Sequence, residues 1–217
     1  MNNKKTLLLG ASGLVGSALL NLLLRNEEVQ EVKVLVRKSL KIKHPKLTQV
    51  VTNFEDLAAV EDQFERDQFI YCCIGTTMKK VSGNKNAYRK VDFNIPVGAA
   101  RMAKRKGCAH FSLISAIGAN PQSTNFYLNL KGQVEQEIEE MHLPSVGFYR
   151  PSFLIGDRPE FRLGEKIFGG VSRALSFLIP SKYKPITASE LAAGMIRLSF
   201  QKTAGTSVYF FADIVGK

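Results

Sequence analysis

Three side chains near the middle of the chain have the types and spacing needed to move a proton to or from an oxygen atom. Tyr127 and Lys131 are four positions apart in a predicted helix, so their side chains share one face of that helix. A tyrosine is ordinarily a weak acid with a pKa of about 10, but a neighbouring ammonium favours its phenolate form. Ser115 follows a predicted strand, and its hydroxyl can hold the same substrate oxygen. The trio predicts a general acid/base site; a surface tyrosine and a solvated lysine without catalytic function are the alternative.

A glycine-rich loop near the N-terminus is typical of a site that binds a dinucleotide. It reads Gly10-Ala11-Ser12-Gly13-Leu14-Val15-Gly16, between a predicted strand and a predicted helix. Glycine is needed where the chain turns sharply, where the backbone approaches a pyrophosphate and where the helix packs on the strand. The start of the helix also offers free N–H groups and the positive end of the helix dipole. The loop therefore predicts a dinucleotide site; a tight turn without a ligand is the alternative.

The residues at the end of the second predicted strand indicate which dinucleotide is bound. Proteins specific for NAD usually place an acidic residue there, where it binds the ribose 2′-hydroxyl. This chain has Arg37 and Lys38 instead. A guanidinium can bind a 2′-phosphate through two parallel hydrogen bonds, whereas a carboxylate would repel it. The pair predicts NADP(H) as the cofactor, although two solvated bases at a strand end would look the same.

The predicted elements bring these residues to one edge of a sheet. Apolar runs predict strands at residues 6–9, 32–36, 47–52, 69–74, 110–114, 146–149 and 207–212. Helical periodicity predicts helices at residues 14–24, 56–66, 86–106, 126–141, 163–179 and 188–200. This alternation predicts an α/β fold with a doubly wound, mostly parallel sheet of the Rossmann type, whose ligands bind beyond the carboxyl ends of the strands. We expect one domain over residues 1–217, with a small irregular C-terminal region at residues 151–206 on the substrate side.

Composition and charge narrow the classes of function. The net charge is +11, from 30 basic and 19 acidic residues, but the basic residues are scattered and accompany no nucleic-acid-binding motif. We therefore expect solvated basic faces, a phosphate-bearing ligand and no nucleic-acid partner. The three cysteines and three histidines have neither disulfide nor metal-site spacing. This favours a cytoplasmic location and predicts no metal.

The uncharged run from Thr6 to Leu24 resembles a membrane span or a signal peptide. The glycine loop interrupts it, however, and its length is marginal for crossing a bilayer. A buried strand, a tight turn and a half-buried helix account for the run better, so we predict no membrane span.

Together these motifs resemble the short-chain dehydrogenase/reductase superfamily. The resemblance is carried by GASGLVG at 10–16, LISAIGA at 113–119 and YxxxK at 127–131. More narrowly, the sequence is similar to the atypical subgroup around a mammalian Tat-interacting oxidoreductase, through CCIGTT at 72–77, VDFN at 91–94, NFYLNLKGQVE at 125–135 and YRPSFLIGDR at 149–158. The similarity extends from about Lys5 to Arg162.

The resemblance implies a fuller set of site residues. Tyr127 corresponds to the active-site tyrosine of the family, and Lys131 to the lysine that binds the nicotinamide ribose. The remaining residues implied to contact the cofactor are Ser12, Gly13, Leu14, Val15, Arg37, Lys38, Ile74, Gly75, Thr76, Leu154 and Arg162, together with Gly10 and Gly16 of the loop. One position departs from the pattern, because Val91 is followed by Asp92 where related reductases often have asparagine.

These expectations favour an NADP(H)-dependent oxidoreductase that transfers hydride to or from a small carbonyl or alcohol substrate, as a monomer or homodimer. Two alternatives remain open. One is an NADPH-binding regulatory or scaffold protein with little catalysis. The other is a nucleotide-sugar epimerase-like enzyme, against which Arg37 and Lys38 argue because such enzymes favour NAD.

Overall fold

The computed structural model describes residues 3–155 and 180–216, and a parallel sheet forms its centre. Seven strands hydrogen-bond in the order β3-β2-β1-β4-β5-β6-β9, each parallel to its neighbours. Their bounds are β1 Lys4–Leu9, β2 Val29–Val36, β3 Leu47–Val51, β4 Phe69–Cys72, β5 His110–Ile114, β6 Ser145–Tyr149 and β9 Gly205–Tyr209. Two short strands, β7 (Leu154–Ile155) and β8 (Ile186–Thr187), pair separately. The parallel sheet confirms the Rossmann-type fold predicted from the sequence.

Helices cover both faces of this sheet. They are α1 (Leu14–Arg25), α2 (Lys85–Arg89), α3 (Ile95–Lys106), α4 (Phe126–Glu140), α5 (Ala188–Phe200) and α6 (Phe211–Val215). Successive residues of a strand point to opposite faces. In β1, Leu8 therefore packs in the cluster formed with α1 and α5, while Leu7 and Leu9 pack in the cluster formed with α3 and α4. The sheet is doubly wound.

The helix predicted at residues 56–66 is not an α-helix in the structure. The structure has a short 3-10 helix, Ala58–Gln63, with non-helical backbone at Val60 (φ −121°, ψ 18°). Val60 is the residue of this segment that is buried, and its non-helical backbone interrupts the helix, so two short 3-10 turns stand where an α-helix was predicted. Short 3-10 turns of this kind are common as connections between longer elements.

Two strands end more than one residue before their predicted ends. The strand predicted at residues 69–74 ends at Cys72, so Cys73 and Ile74 lie beyond the sheet. The strand predicted at residues 207–212 ends at Tyr209, because α6 begins at Phe211. Asp213, in the first turn of α6, accepts a hydrogen bond of 2.9 Å from the Phe210 amide. The helix predicted at residues 163–179 lies outside the described residues.

The long helix predicted at residues 86–106 is helical throughout but not uniform. It consists of α2, a π-helical segment at Lys90–Asn94 and α3. It ends as predicted at Gly107, which has left-handed backbone (φ 68°, ψ 41°). The π segment changes which residues of this stretch face the sheet.

The strand order reverses at β1, and this reversal fixes where a ligand can bind. β1 lies between β2 and β4, and the chain winds outward from it in both directions. The connections that leave β1 and β4 therefore part from each other at the carboxyl edge of the sheet. In doubly wound folds, the resulting crevice is the usual ligand site.

Candidate active site

A cleft of about 570 Å³ opens at this reversal point. The glycine loop, the ends of β2, β4 and β5, one face of α4 and the segment after β6 all contribute to its wall. Among the described residues, the lining includes Gly10 to Val15, Arg37, Asn53, Phe54, Cys73 to Thr77, Lys80, Val91, Asp92, Ser115, Tyr127, Lys131 and Pro151 to Leu154. The tertiary structure thus brings together motifs that are far apart in the sequence.

Close backbone packing explains two of the loop glycines. Gly10 has a φ of +87°, and a Cβ there would lie 2.6 Å from the Cys73 carbonyl oxygen. A Cβ on Gly16 would lie 2.1 Å from the Gly10 carbonyl oxygen. Gly16 is buried against the loop and does not line the cleft. It therefore sets the approach of α1 to the loop, although the sequence placed it among the residues that contact the cofactor.

The start of α1 suits a phosphate group. Gly13 is the N-cap residue, no side chain caps the helix, and the first turn contains no acidic residue. The amides at the start of α1 are therefore available for an anion, and the helix dipole favours one. The loop and the first turn of α1 therefore fit a pyrophosphate.

The two bases after β2 have different positions. Both Arg37 and Lys38 are exposed, but Arg37 lines the cleft and Lys38 does not. Asn53 and Phe54, which follow β3, complete the same end of the cleft. These two residues were not predicted from the sequence, although they lie just past a predicted strand, where ligand contacts are expected in this fold.

Ser115 directs an unpaired hydroxyl toward the cleft. It follows β5, and its amide donates a hydrogen bond of 2.8 Å to the Tyr149 carbonyl, which fixes the backbone there. The side chain is buried, and within the described residues its Oγ has no hydrogen-bond partner. A buried hydroxyl without a partner is costly, so this atom is suited to a ligand oxygen.

Helix α4 presents Tyr127 and Lys131 to the same cleft. Asn125 caps the helix by accepting hydrogen bonds from the amides of Tyr127 (3.0 Å) and Leu128 (3.1 Å). Tyr127 is 41% exposed, whereas Lys131 is 5% exposed and its Nζ lies 6.0 Å from the centre of the tyrosine ring. The tyrosine can thus reach a substrate while the lysine acts from behind it.

Asp92, where the sequence departs from the reductase pattern, lies inside the site. It belongs to the π segment, is buried, and its Oδ1 lies 3.3 Å from Lys131 Nζ. Its Oδ2 accepts a hydrogen bond of 2.7 Å from the Thr76 amide. Burial lowers the pKa of Lys131, but the carboxylate of Asp92 opposes this and the pKa lies above its ordinary value. The ion pair between Asp92 and Lys131 was not predicted from the sequence.

The structure also places the residues that were inferred from resemblance alone. Ile74, Gly75 and Thr76 follow β4 and line the cleft, as do Ser12 to Val15 of the loop and Leu154 at the start of β7. Arg162 lies outside the described residues. Cys73 and Phe153 also line the cleft; both lie within motifs quoted for the resemblance, which implied no cofactor contact for either of them.

Two other features bear on the kind of site. In residues 3–155 and 180–216, no group of three or more His, Cys, Asp or Glu side chains could hold a metal ion. Among the helices of the same residues, none combines the length and apolarity needed to cross a membrane.

The strand order, the glycine loop at the reversal point and a cleft shared with Ser115, Tyr127 and Lys131 define a dinucleotide-binding protein of the short-chain dehydrogenase/reductase type. The chain belongs to the NAD(P)H-binding family, whose model matches residues 10–154. Within that class it is an atypical member similar to HTATIP2.

Proteins and structures with similar sequence or fold agree with this assignment. The chain is 34% identical to Protein HTATIP2 of Rattus norvegicus over 189 residues, which cover 83% of this chain and 77% of that protein. It is 33% identical to the mitochondrial Protein FMP52 of Meyerozyma guilliermondii over 156 residues, covering 71% and 66% of the two chains. Its fold matches MoeE5 in complex with UDP-glucose and NAD with a TM-score of 0.73 and 14% identity, over 98% of this chain and 80% of that one.

Proposed function

We propose that this protein is an NADP(H)-dependent oxidoreductase that transfers hydride to or from a small carbonyl or alcohol substrate. One observation carries the proposal: the cleft that contains the glycine loop and Arg37 also contains Ser115, Tyr127 and Lys131. A binding protein needs the first group of residues, whereas acid/base chemistry needs the second. Their presence in one cleft favours an enzyme.

The proposed chemistry of the protein is proton transfer to or from the reacting oxygen. Tyr127 is the general acid/base, since its side chain is exposed in the cleft on the first turn of α4. Ser115 donates a hydrogen bond to the same oxygen from its unpaired hydroxyl. The buried ammonium of Lys131 stabilises the phenolate electrostatically and binds the nicotinamide ribose.

The cofactor would supply the hydride, and the chain would hold it by three groups of residues. Residues from Gly10 to Val15 and the start of α1 would hold the pyrophosphate, Arg37 would hold the 2′-phosphate, and Ile74 to Thr76 would form part of the wall around the cofactor. Arg162 and Lys38 remain predicted contacts. Fluorescence titration with NADPH and with NADH tests the preference, and equal affinity would contradict the assignment of NADP(H).

Turnover is tested by a screen of carbonyl and alcohol substrates in the presence of NADPH or NADP⁺. Tyr127→Phe should lower kcat at least about 100-fold, because it removes the proton donor. The NADPH dissociation constant should stay within about twofold, because the ring is retained and only the hydroxyl is lost. Unchanged turnover in this variant would overturn the assignment of Tyr127.

The second candidate is a regulatory NADPH-binding protein with little catalysis. The unpaired Ser115 hydroxyl argues against it, because a purely regulatory site has no need of a buried donor beside the acid/base pair. Tight NADPH-dependent partner binding, together with no oxidation of NADPH by any substrate screened, would favour this candidate. A nucleotide-sugar epimerase-like enzyme is the other alternative, and it would bind NAD at least as tightly as NADP. The structure of MoeE5, which has a similar fold, was determined with UDP-glucose and NAD bound.

Other expectations belong with this proposal. The chain is expected to be one domain acting as a monomer or homodimer on a small-molecule substrate, without nucleic acid. A cytoplasmic location is predicted, whereas FMP52 of Meyerozyma guilliermondii is named a mitochondrial protein. Imaging of the tagged full chain in its own cells, with mitochondrial and cytoplasmic markers, distinguishes the two locations.

A further inference from the structure

The π-helical segment between α2 and α3 delivers one charged side chain into the interior. A π-helix closes its hydrogen bonds one residue later than an α-helix, and single π turns are frequent at functional sites. Of the five residues at Lys90–Asn94, Asp92 is buried, with a relative exposure of 1%. Its neighbours Val91 and Phe93 are half-buried, and Lys90 and Asn94 are exposed. The irregular turn therefore orients a carboxylate inward.

Asp92 uses its two oxygens to join three elements of the site. Oδ2 accepts a hydrogen bond of 2.7 Å from the Thr76 amide, in the connection that leaves β4. Oδ1 lies 3.3 Å from Nζ of Lys131 on α4. The two charged side chains are 2% and 6% exposed, so neither charge is screened by water. A buried charge of this kind persists only when it is paired.

We propose that Asp92 is a positioning residue that keeps Lys131 charged and directed into the cleft, while it anchors the wall at Thr76. The proposal rests on the proposed function in so far as Lys131 serves the cofactor and Tyr127. This role would explain why the chain has aspartate at the position where related reductases often have asparagine. An amide could accept the Thr76 hydrogen bond, but it could not act as the counter-ion of a buried ammonium.

Of the described titratable groups around the pair, Asp92 is the one suited to act as the counter-ion of Lys131. Lys131 is faced by Tyr127 on its own helix and by Cys72 on β4. Burial raises the pKa of Cys72 to about 11, so its thiol is neutral at physiological pH. On the other side, Tyr88 of α2 faces Asp92, and burial raises the pKa of this phenol too. Among the described residues that face Lys131, Asp92 is thus the anion.

The decisive perturbation is Asp92→Asn, which keeps the size and the acceptor for the Thr76 amide but removes the charge. Without its counter-ion, buried Lys131 is left to desolvation, which disfavours the ammonium. We expect its pKa to fall by about 1–3 units. The measurement is an NMR titration of the lysine Nζ and Cε signals in ¹³C,¹⁵N-lysine-labelled protein without cofactor. The Lys131 signal is assigned by its loss in Lys131→Met.

A matched control lies one turn further along α4. Glu135 is also buried, and it pairs with Arg150 through its two carboxylate oxygens. Glu135→Gln removes a buried carboxylate from the same helix without touching Lys131, so the pKa of Lys131 should stay as in the wild type. If Asp92→Asn leaves that pKa unchanged, or if Glu135→Gln lowers it equally, the proposal is overturned.

The cofactor provides a second measurement that a merely structural role would not move. The affinity of Asp92→Asn for NADPH should fall about tenfold per pH unit above the lowered pKa of Lys131, while the wild type stays flat there. If the wild type binds no NADPH, the proposed function fails, but the lysine titration still decides on the ion pair. If Asp92→Asn does not fold, Lys131→Met is used with ¹³C-aspartate labelling. The Asp92 carboxyl should then titrate at least about 1 unit higher than in the wild type, and an unchanged pKa would refute the pairing.

Discussion

Replacing Gly16 with alanine adds one methyl group where α1 packs on the glycine loop. The added Cβ would lie 2.1 Å from the Gly10 carbonyl oxygen and 2.8 Å from its carbonyl carbon, whereas ordinary contact begins at 3.4 Å. Both contacts are with backbone atoms, which cannot rotate out of the way as a side chain can. Helix α1 and the loop therefore have to separate by roughly 1 Å in a closely packed region.

This separation should affect both folding and binding. Overpacking of this kind costs about 1–3 kcal/mol, so the free energy of unfolding in urea should fall by that amount. The amides of the loop and of the first turn of α1 shift as well, and they are the proposed phosphate ligands. Loss of one or two charge-assisted hydrogen bonds, each worth about 1.5–3 kcal/mol, should weaken the binding of NADPH at least about tenfold. Circular dichroism in urea and fluorescence titration with NADPH measure the two effects.

Gly98→Ala is the matched control, because Gly98 is also a glycine within a helix and is half-buried. A Cβ there would meet Leu57 Cδ1 at 2.9 Å, which is the far end of a flexible side chain. The higher helix propensity of alanine, worth about 1 kcal/mol, should offset that contact and leave stability and NADPH binding nearly unchanged. A Gly16→Ala variant that matches the wild type in both stability and NADPH affinity would show that this close backbone contact limits neither folding nor binding.

Two further predictions concern specificity and pH. Arg37→Ala should weaken the binding of NADPH by about 10- to 100-fold with little effect on the binding of NADH, because a charge-assisted contact of about 1.5–3 kcal/mol is lost. In parallel fluorescence titrations, Lys38→Ala should lose less affinity for NADPH. Equal losses of affinity would contradict the placement of Arg37 in the cleft. Burial lowers the pKa of His110 from 6.5 to about 4, so as the pH falls below 6.5 the unfolded chain takes up a proton before the folded chain does. The free energy of unfolding should therefore fall by about 2 kcal/mol between pH 7 and pH 5. Urea titrations of His110→Gln should lack this decrease, and a decrease of the same size there would assign it to other groups.

Most elements of the fold could be predicted from local patterns in the sequence. Each strand of the sheet was predicted to within about three residues at both ends, because buried parallel strands are short apolar runs. The end of α3 at Gly107 was likewise readable, since glycine is favoured in left-handed backbone. The 3-10 helix at Ala58–Gln63 was not, because over so short a segment the residue pattern does not distinguish a 3-10 helix from an α-helix.

The site was partly readable for the same reason. Residues from Gly10 to Val15 form one continuous motif, so strand, turn and helix could be read in order. Arg37 and Lys38 are adjacent, and the sequence has no means of deciding which of them turns toward the cleft. Nor could it distinguish Gly16, which packs against Gly10, from the loop residues that line the cleft.

The fold class, the glycine loop and the candidate residues Ser115, Tyr127 and Lys131 could be inferred from local sequence, because each depends on contacts between near neighbours or on residue type. Which of these residues lie in the same cleft depends on how distant parts of the chain pack together. Gly10 meets Cys73, and Lys131 meets Asp92, across long stretches of chain. Such contacts depend on strand order and on a π turn, which arise from the packing of the whole sheet rather than from any local pattern.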